Sequence, residues 1–429
     1  MPTPKQLSDY LESSEGKSYL AHLYGNSPEA LASQTKRYQS LLKGFAIAFP
    51  QHTDMDIFSS PGRSEVGGNH TDHNAGRILA AAVDLDIIAA VARNNSDLIV
   101  VHSEGYSPAI VNILQTGVVE EEKYSATSLV RGVCARFDQL GLSIGGFDAI
   151  ATSKVPKGSG LSSSAAYEVL IATILNHLFN DGKLDPVLVA QISQYAENQY
   201  FGKPCGLMDQ TTCAVGGFVT IDFKDFNHPV VRKLDYDFAT SGYSMVIVDT
   251  AGDHADLNDE YEALEYEMKS VARALGGQVL REFSVQKVLE NVHYLRERVS
   301  DRAILRAIHF YGDDQRVVDQ VRALEANQFE RFLQLVIESG ESSWLYCQNC
   351  YSPKSLHRQG ISIALMVSEA LLKGRGAWRV HGGGFAGTIQ VFVPNDFLKA
   401  YLEQIERIFG HGSGHIVLIR PEGAIRMPV

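Results

Sequence analysis

Residues 155–170 read VPKGSGLSSSAAYEVL and carry the strongest structural signal of the 429-residue chain. Gly158 and Gly160 allow backbone angles that other residues avoid, so successive N–H groups can converge on one point. Three serines then begin a segment with helical spacing. The first turn of a helix offers unpaired N–H groups and the positive end of the helix dipole. Such a construction binds phosphate groups. The alternative is a serine-rich N-cap on a core helix.

This loop differs from two widespread phosphate-binding motifs. No Lys-Ser or Lys-Thr pair follows a G-x-x-x-x-G sequence here, which excludes a Walker A loop. The third glycine of a dinucleotide fingerprint is missing, and the preceding Pro-Lys fits the strand turn of that motif poorly. The pattern therefore indicates a phosphate site outside these two classes.

Composition limits the possible partners. Apolar residues make up 45% of the chain, and its formal net charge is -12 with no basic run, which argues against nucleic acid and anionic membranes as partners. No stretch approaches the roughly 18–20 apolar residues of a membrane span, and the polar N-terminal segment lacks the apolar core of a signal peptide. Five scattered cysteines fit a reducing compartment. We therefore expect a cytoplasmic protein. A monomer or weak oligomer is expected as well, although composition itself does not determine the assembly.

The order of periodic segments predicts the fold class. Residues 5–49 have helical apolar spacing, and short apolar runs between about 56 and 155 predict strands. Strong helices follow the serine loop, and the second half mixes amphipathic helices with further strands. Because this order lacks a strict βαβ rhythm, it predicts two α+β domains, residues 1–225 and 226–429, rather than a doubly wound sheet.

A second polar stretch, PGRSEVGGNHTDHNAG at residues 61–76, has neither helical nor strand periodicity in its middle and is predicted to be a loop. Its histidines, with His52 nearby, raise the alternative of a metal site, but their spacing fits no common zinc motif. The Cys347–Cys350 pair lacks a second pair and is interpreted as two ordinary thiols. The stretch 61–76 is unusually rich in hydrogen-bonding side chains for a loop.

Two segments resemble motifs of the GHMP small-molecule kinases. PKGSGLSSSAA is similar to P-x-G-x-G-L-x-S-S-A-A, and VHGGGFAG at 380–387 is similar to G-G-G-F-G-G. The resemblance implies a two-domain α+β fold: a ribosomal-S5-domain-2-like N-terminal domain, a C-terminal domain derived from a ferredoxin-like fold, and the active site in the cleft between them. It also implies that ATP and Mg²⁺ are bound, the metal by Ser164 and Glu197. The implied nucleotide-binding residues are Gly158, Ser159, Gly160, Leu161, Ser162, Ser163, Ser164 and Ala165.

Two further segments resemble galactokinases. CGLMDQ at 205–210 is similar to C-G-I-M-D-Q, and residues 61–76 are similar to P-G-R-x-N-x-I-G-E-H-T-D-Y-N-x-G. The resemblance implies that Asp209 faces the attacking sugar hydroxyl, as a general base or as an orienting group. Arg63 would hold Asp209 ionised and neutralise charge on the phosphoryl group. The implied sugar-binding residues are Asn69, His70, Asp72, Gly206 and Tyr261.

The match to galactokinases fails at a few positions. Asn69 replaces the usual Glu, His73 replaces Tyr, and Glu65 replaces Asn. In galactokinases the Glu accepts a hydrogen bond from the C6 hydroxyl, so a neutral amide there would tolerate a C6 carboxylate. The expected function is therefore an ATP-dependent 1-kinase for galactose. The alternatives are a 1-kinase for a C6-altered sugar such as galacturonate and a non-catalytic sugar sensor on the same fold.

Overall fold

The computed structural model describes residues 1–156, 160–252, 257–355 and 357–429. The chain begins with three helices, α1 (Pro4–Glu12), α2 (Ser14–Tyr24) and α3 (Pro28–Ala48). Each is capped by the side chain of the residue before it, which accepts a hydrogen bond from the first turn. Their apolar faces pack on one side of the first sheet.

The first sheet has eight strands in the described residues, and it carries the long strands of the protein. Its central order is β12-β1-β2-β5-β3-β4, with β6 pairing β2 and β7 pairing β6; only the β3–β5 pair is parallel. The strands in chain order are β1 (Asp56–Gly67), β2 (Arg77–Arg93), β3 (Leu98–Ser103), β4 (Ala109–Asn112), β5 (Phe147–Ser153), β6 (Phe218–Asp222), β7 (Val230–Leu234) and β12 (Ile425–Arg426).

Four helices cover the opposite face of this sheet and bury a large apolar core against it. They are α4 (Ala126–Gln139), α5 (Ser163–Phe179), α6 (Pro186–Ala196) and α7 (Met208–Val215). α5 is buried along nearly its whole length, as expected for an apolar central helix. A π-helical turn, Glu197–Phe201, continues α6 and turns the chain toward α7.

The second sheet is smaller and antiparallel, in the order β11-β8-β10-β9. Its strands are β8 (Tyr243–Asp249), β9 (Ala377–Val380), β10 (Thr388–Pro394) and β11 (Gly414–Val417). The accompanying helices are α8 (Asn258–Ala274), α9 (Val285–Glu290), α10 (Val292–Arg296), α11 (Asp301–Glu325), α12 (Phe329–Ser342), α13 (Gly360–Leu372) and α14 (Leu398–Phe409). A second π-helical turn, Ser343–Cys347, extends α12. No helix in the described parts of the chain is long and apolar enough to cross a membrane.

The C-terminal segment returns to the first sheet. β12 pairs with β1, and the Arg420 guanidinium forms an ion pair with buried Asp86 at 2.9 Å. β7 also belongs to the first sheet although it lies beyond residue 225. A division of the chain at residue 225 therefore stays a prediction, and it would leave β7 and β12 outside the sheet that they complete.

The α+β class is confirmed, but the polar stretch 61–76 is a loop only from residue 68 onward. Its first seven residues belong to β1, so the prediction of a loop there is wrong. The polar groups are buried because partners in the second half of the chain satisfy them. The Gln390 amide, for example, donates to Ser64 Oγ at 2.7 Å and to the Glu65 carbonyl at 2.9 Å. A strand with buried polar residues lacks the alternation of apolar and polar residues by which a strand is recognised in a sequence.

Candidate active site

β1 contacts the serine loop through its backbone. The Arg63 N–H donates to the Leu161 carbonyl at 3.0 Å, next to an irregularity in the β1–β2 pairing between Pro61 and Arg63. A Cβ on Gly62 would lie 2.8 Å from the same carbonyl oxygen, so the close approach requires glycine there. The strand and the loop are therefore fixed against each other where their functional side chains begin.

Arg63 and Asp209 form a bidentate ion pair. Nε donates to Oδ1 at 2.7 Å, and Nη2 lies 2.6 Å from Oδ2. Burial by itself would lower the pKa of Arg63, but the Asp209 carboxylate raises it above its ordinary value. The Arg63 side chain is 8% exposed and that of Asp209 is 23% exposed, so the carboxylate is the group that remains open to a substrate. The structure thus brings the two residues together, and their catalytic roles stay predictions.

The serine loop reaches the same carboxylate. Ser162 has a left-handed backbone, φ 56°, and its hydroxyl donates to Asp209 Oδ2 instead of capping α5. The Arg63 guanidinium also donates to the Gly160 carbonyl through Nη1. The N-cap alternative for Ser162 is thus wrong, because its oxygen is turned toward Asp209.

The other predicted nucleotide-binding residues divide into three groups. Ser163 and Ser164 begin α5, and both residues line a cavity. Leu161 and Ala165 have fully buried side chains in the core, which leaves only backbone groups for a ligand. Gly158 and Ser159 lie outside the described residues.

Ser164 and Glu197, the predicted Mg²⁺ ligands, lie next to each other. The Ser164 hydroxyl donates to Glu197 Oε1 at 2.9 Å, and the Gln210 amide donates to Glu197 Oε2 at 2.8 Å. Glu197 is 2% exposed and begins the π-helical turn, and Lys203 Nζ is 3.8 Å from its Oε1. A hydroxyl and a carboxylate at the first turn of a helix are hard donors that fit a cation also held by phosphate oxygens.

Glu168 is a second buried acid, next to Glu197, and sequence reasoning missed it. The Gln210 amide lies 3.3 Å from its Oε2, while its Oε1 has no hydrogen-bond partner among the described residues. Burial first, and then the nearby Glu197 carboxylate, raise the pKa of Glu168 well above its ordinary value. The one sequence signal was an acidic residue inside an otherwise apolar helix, AAYEVLIA.

A cavity of about 810 Å³ adjoins the first turn of α5. The β3–β4 hairpin, the start of α4 and the end of β5 form its walls. Its size and its mixed apolar and hydroxyl lining suit a nucleoside. No motif identified its wall residues, because they come from separate strands and loops: Ser103, Tyr106, Tyr124, Thr127, Leu129, Thr152 and Phe201.

The predicted sugar-binding loop, residues 68–76 (the sugar loop), packs against the triple-glycine turn 382–384. His70, at φ 61°, donates from Nε2 to the Gly383 carbonyl at 3.0 Å, and burial lowers its pKa to about 3. The neutral ring therefore keeps Nδ1 as an acceptor. Tyr261 donates to the Gly384 carbonyl at 2.9 Å. The carbonyl groups of the triple-glycine turn thus accept hydrogen bonds from both His70 and Tyr261.

Asp72 and Gly206 also lie together. Asp72 begins a short 3₁₀ turn, and a Cβ on Gly206 would be 2.6 Å from Asp72 Oδ2. A larger residue at position 206 would require the Asp72 carboxylate to shift, so the CGLMDQ segment lies directly against the sugar loop. Gly206 is therefore placed three residues before Asp209 and beside a carboxylate suited to sugar hydroxyls.

Asn69 does not have the sugar-contacting position that the sequence predicted for it. It is 0% exposed, and its amide donates to Glu65 Oε1 at 3.0 Å and to the Gly382 carbonyl at 2.8 Å. Its Oδ1 accepts from Asn349 Nδ2 at 2.8 Å and lies 3.4 Å from the Ser343 hydroxyl. With both amide hydrogens and both acceptor positions used, this side chain has no group left for a sugar hydroxyl.

Comparison with known proteins identifies the family of this chain. The GHMP kinase N-terminal domain matches residues 128–217, and the galactokinase galactose-binding signature matches residues 43–93. A galactokinase of Streptomyces coelicolor is 30% identical over 356 residues, 82% of this chain and 88% of the relative. The chain belongs to the galactokinase family. Like other GHMP kinases, it is a phosphotransferase whose phosphoryl donor is ATP, and its substrate is a small sugar.

Further relatives support the same family and fold. A galactokinase of Clostridium tetani is 28% identical over 370 residues, 84% of this chain and 90% of the relative. The crystal structure of Lactococcus lactis galactokinase in complex with galactose superimposes with a TM-score of 0.77 at 21% identity, covering 91% of this chain and all of the other. The GHMP kinase fold implied by the sequence is thereby confirmed.

The described residues of this galactokinase-family chain provide no cluster of three or more His, Cys, Asp or Glu side chains suited to a metal. His52 pairs with Asp148 at 2.7 Å, whereas His70 and His73 stack on each other with ring centroids 6.3 Å apart. Cys347 and Cys350 are buried free thiols. The three histidines thus do not form the alternative metal site within the described chain.

Proposed function

We propose that this chain transfers the γ-phosphoryl group of MgATP to the C1 hydroxyl of galactose, giving α-D-galactose 1-phosphate. The proposal depends above all on one observation: Asp209 is held by Arg63 from the sugar-binding strand and by Ser162 from the phosphate loop. A carboxylate held between a sugar loop and a phosphate loop can bind a hydroxyl and direct it at a phosphoryl group. The names of the relatives support the choice of galactose.

Within this proposal each residue has a chemical task. Asp209 accepts a hydrogen bond from the C1 hydroxyl, and either takes its proton or orients it for transfer. Arg63 stabilises negative charge on the transferring group. The N–H groups at the start of α5 bind the phosphates, and His70, Asp72, Gly206 and Tyr261 surround the sugar. Ser164 and Glu197 would hold Mg²⁺, which neutralises phosphate charge when bound.

We further propose that the protein acts in the cytoplasm as a monomer or weak oligomer. The described cysteines are all unpaired, which supports a reducing compartment. Size-exclusion chromatography with light scattering at two protein concentrations would test the assembly. A stable dimer at the lower concentration would contradict it.

A coupled ADP-release assay with galactose, with galacturonate and without sugar tests the function. Galactose-dependent ADP release, with one phosphate at C1 by ³¹P NMR, is the expected outcome. One argument for galacturonate was a neutral Asn69 facing C6, and the burial of Asn69 removes that argument. Faster turnover of galacturonate would nevertheless overturn the choice of sugar. Tight sugar binding without turnover would favour the sensor instead.

A further inference from the structure

The backbone of Asn69 is held by one helix of the second half of the chain. Its N–H donates to Asp313 Oδ2 at 2.7 Å, and its carbonyl accepts from His309 Nε2 at 2.9 Å. Asp313 and His309 are both fully buried on α11. The residue just before His70 is therefore fixed to α11 through its main chain.

The side chain of Asn69 connects four more places in the sequence. It donates to Glu65 on β1 and to the Gly382 carbonyl in the triple-glycine turn. It accepts from Asn349 and is within 3.4 Å of the hydroxyl of Ser343, which begins the second π-helical turn. These contacts join the sugar loop to the triple-glycine turn, whose carbonyl groups also accept hydrogen bonds from His70 and Tyr261.

Glu65 brings a charge into this arrangement. Its Oε1 is 2.6 Å from Arg379 Nη2, and Arg379 also donates to the Val66 carbonyl at 2.6 Å. Arg379 is fully buried and Glu65 is 6% exposed. The same Glu65 oxygen thus receives both a guanidinium and the Asn69 amide, so the position of one side chain depends on the other.

We propose that Glu65 and Asn69 act as one unit, the Glu65–Asn69 latch, which positions the sugar loop against the triple-glycine turn. The latch rests on the proposed function, since its task is to place His70 and Asp72 for the sugar. Glu65 and Asn69 are positioning residues because they contact each other and the turn, whereas their neighbours face the substrate.

The latch also explains two of the departures from the galactokinase pattern. That pattern has Asn at position 65 and Glu at position 69, and this chain has the reverse. Because the two side chains are hydrogen-bonded here, the exchange keeps one amide and one carboxylate beside Arg379. The two departures therefore compensate each other and count as a single change.

Exchange variants test this inference: Asn69→Glu, Glu65→Asn and the double variant. Asn69→Glu places two carboxylates beside one guanidinium, and Glu65→Asn removes the carboxylate that pairs directly with Arg379. Each single change should raise the KM for galactose about tenfold with the KM for ATP unchanged, and the double variant should return to within about threefold of the parent. A loss in the double variant equal to the product of the two single losses would overturn the latch.

Asn349→Ala covers the case in which a single exchange does not fold. It removes one donor to Asn69 Oδ1 and leaves both charges in place. We expect an approximately threefold rise in the galactose KM with the ATP KM unchanged. Asn395→Ala, at a turn distant from the sugar loop, is the control and should change neither value. A lower melting temperature with an unchanged galactose KM would mean that the contacts are merely structural, which would overturn the positioning role.

Failure of the proposed function would be seen separately, in the parent enzyme. If the parent neither phosphorylates nor binds galactose by calorimetry, the proposed function fails and the positioning role fails with it. Melting temperatures of the four proteins, measured without any substrate, still decide whether Glu65 and Asn69 act as a unit. Recovery of the melting temperature in the double variant supports the unit, and additive losses contradict it.

Discussion

The phosphate side and the sugar side of this site are built in different ways. On the phosphate side, Gly160, Ser162 and Ser164 lie within five residues and present a helix N-terminus, so local sequence determines most of the geometry. On the sugar side, the partners that hold Asn69, apart from nearby Glu65, are 240 to 313 positions away in the sequence. A compact motif therefore identifies the first, whereas only the folded chain identifies the second. Mutations can test this division.

The largest effect is expected where the two sides meet, at Asp209. Asp209→Asn keeps the shape and an acceptor for Arg63 but removes the charge that receives the sugar hydroxyl. We expect kcat to fall about 10²–10⁴-fold, the usual contribution of a positioned base, while galactose binding by calorimetry changes little. Circular dichroism would establish that the variant is folded. Retention of more than a tenth of kcat would show that Asp209 does not have this role.

Ser164→Ala tests the phosphate side alone. Its hydroxyl contacts Glu197 at 2.9 Å, and its loss removes one of the two proposed metal donors. Since changing even an outer partner of a metal ligand costs about 10–100-fold in affinity, we expect a rise in the Mg²⁺ requirement of at least about tenfold. Ser163→Ala is the matched control in the same cavity. Mn²⁺ binding in the presence of ATP, followed by electron paramagnetic resonance, gives a readout independent of turnover.

The sequence predicted the site unevenly, for a physical reason. Glycines and serines at fixed spacing indicate a phosphate loop because they act through their own backbone. The structure places Ser164 beside Glu197, as expected, whereas the Ser162 hydroxyl, which was expected at the nucleotide, donates to Asp209. The polar residues of β1 led to the wrong prediction of a loop. Hydrogen bonds from Gln390 and Arg379, in the other half of the chain, allow this polar strand to be buried. Asn69 was misassigned for the same reason, since a motif gives the identity of a residue without its hydrogen-bond partners.

His381 connects the two sides and should make stability depend on pH. It contacts Ser64 Oγ at 3.0 Å and Thr388 Oγ1 at 2.9 Å, and burial, together with Arg63 and Arg379, lowers its pKa to about 3. A base whose pKa is lowered on folding contributes stability above about pH 6.5, and this contribution is lost as the pH falls.

The expected loss is about 1.4 kcal/mol per pH unit below pH 6.5, measured by denaturant unfolding between pH 7.5 and 5. Other buried histidines act in the same direction, so the test is the difference between parent and variant. His381→Gln should flatten the dependence by about this slope. His228→Gln, at an exposed position, should leave it unchanged. Equal slopes for the parent and His381→Gln would mean that His381 is not kept neutral by its surroundings.

The smallest effect is expected at Ser162. Two substitutions there separate the contribution of the hydroxyl group from that of the left-handed backbone. Ser162→Ala removes the hydrogen bond to Asp209 and keeps the left-handed backbone, and Ser162→Gly removes the same bond but adopts that backbone freely. Because this bond only supports a carboxylate already held twice by Arg63, both variants should lower kcat/KM by about threefold to tenfold, within the range of one hydrogen bond. The left-handed backbone costs alanine roughly 1–2 kcal/mol, which outweighs the greater chain entropy that glycine loses on folding, so chemical denaturation should find Ser162→Gly more stable than Ser162→Ala by about 0.5–1 kcal/mol. If the alanine variant is the more stable one, residue 162 is not left-handed in solution, and the phosphate side would then depend on distant contacts as much as the sugar side does.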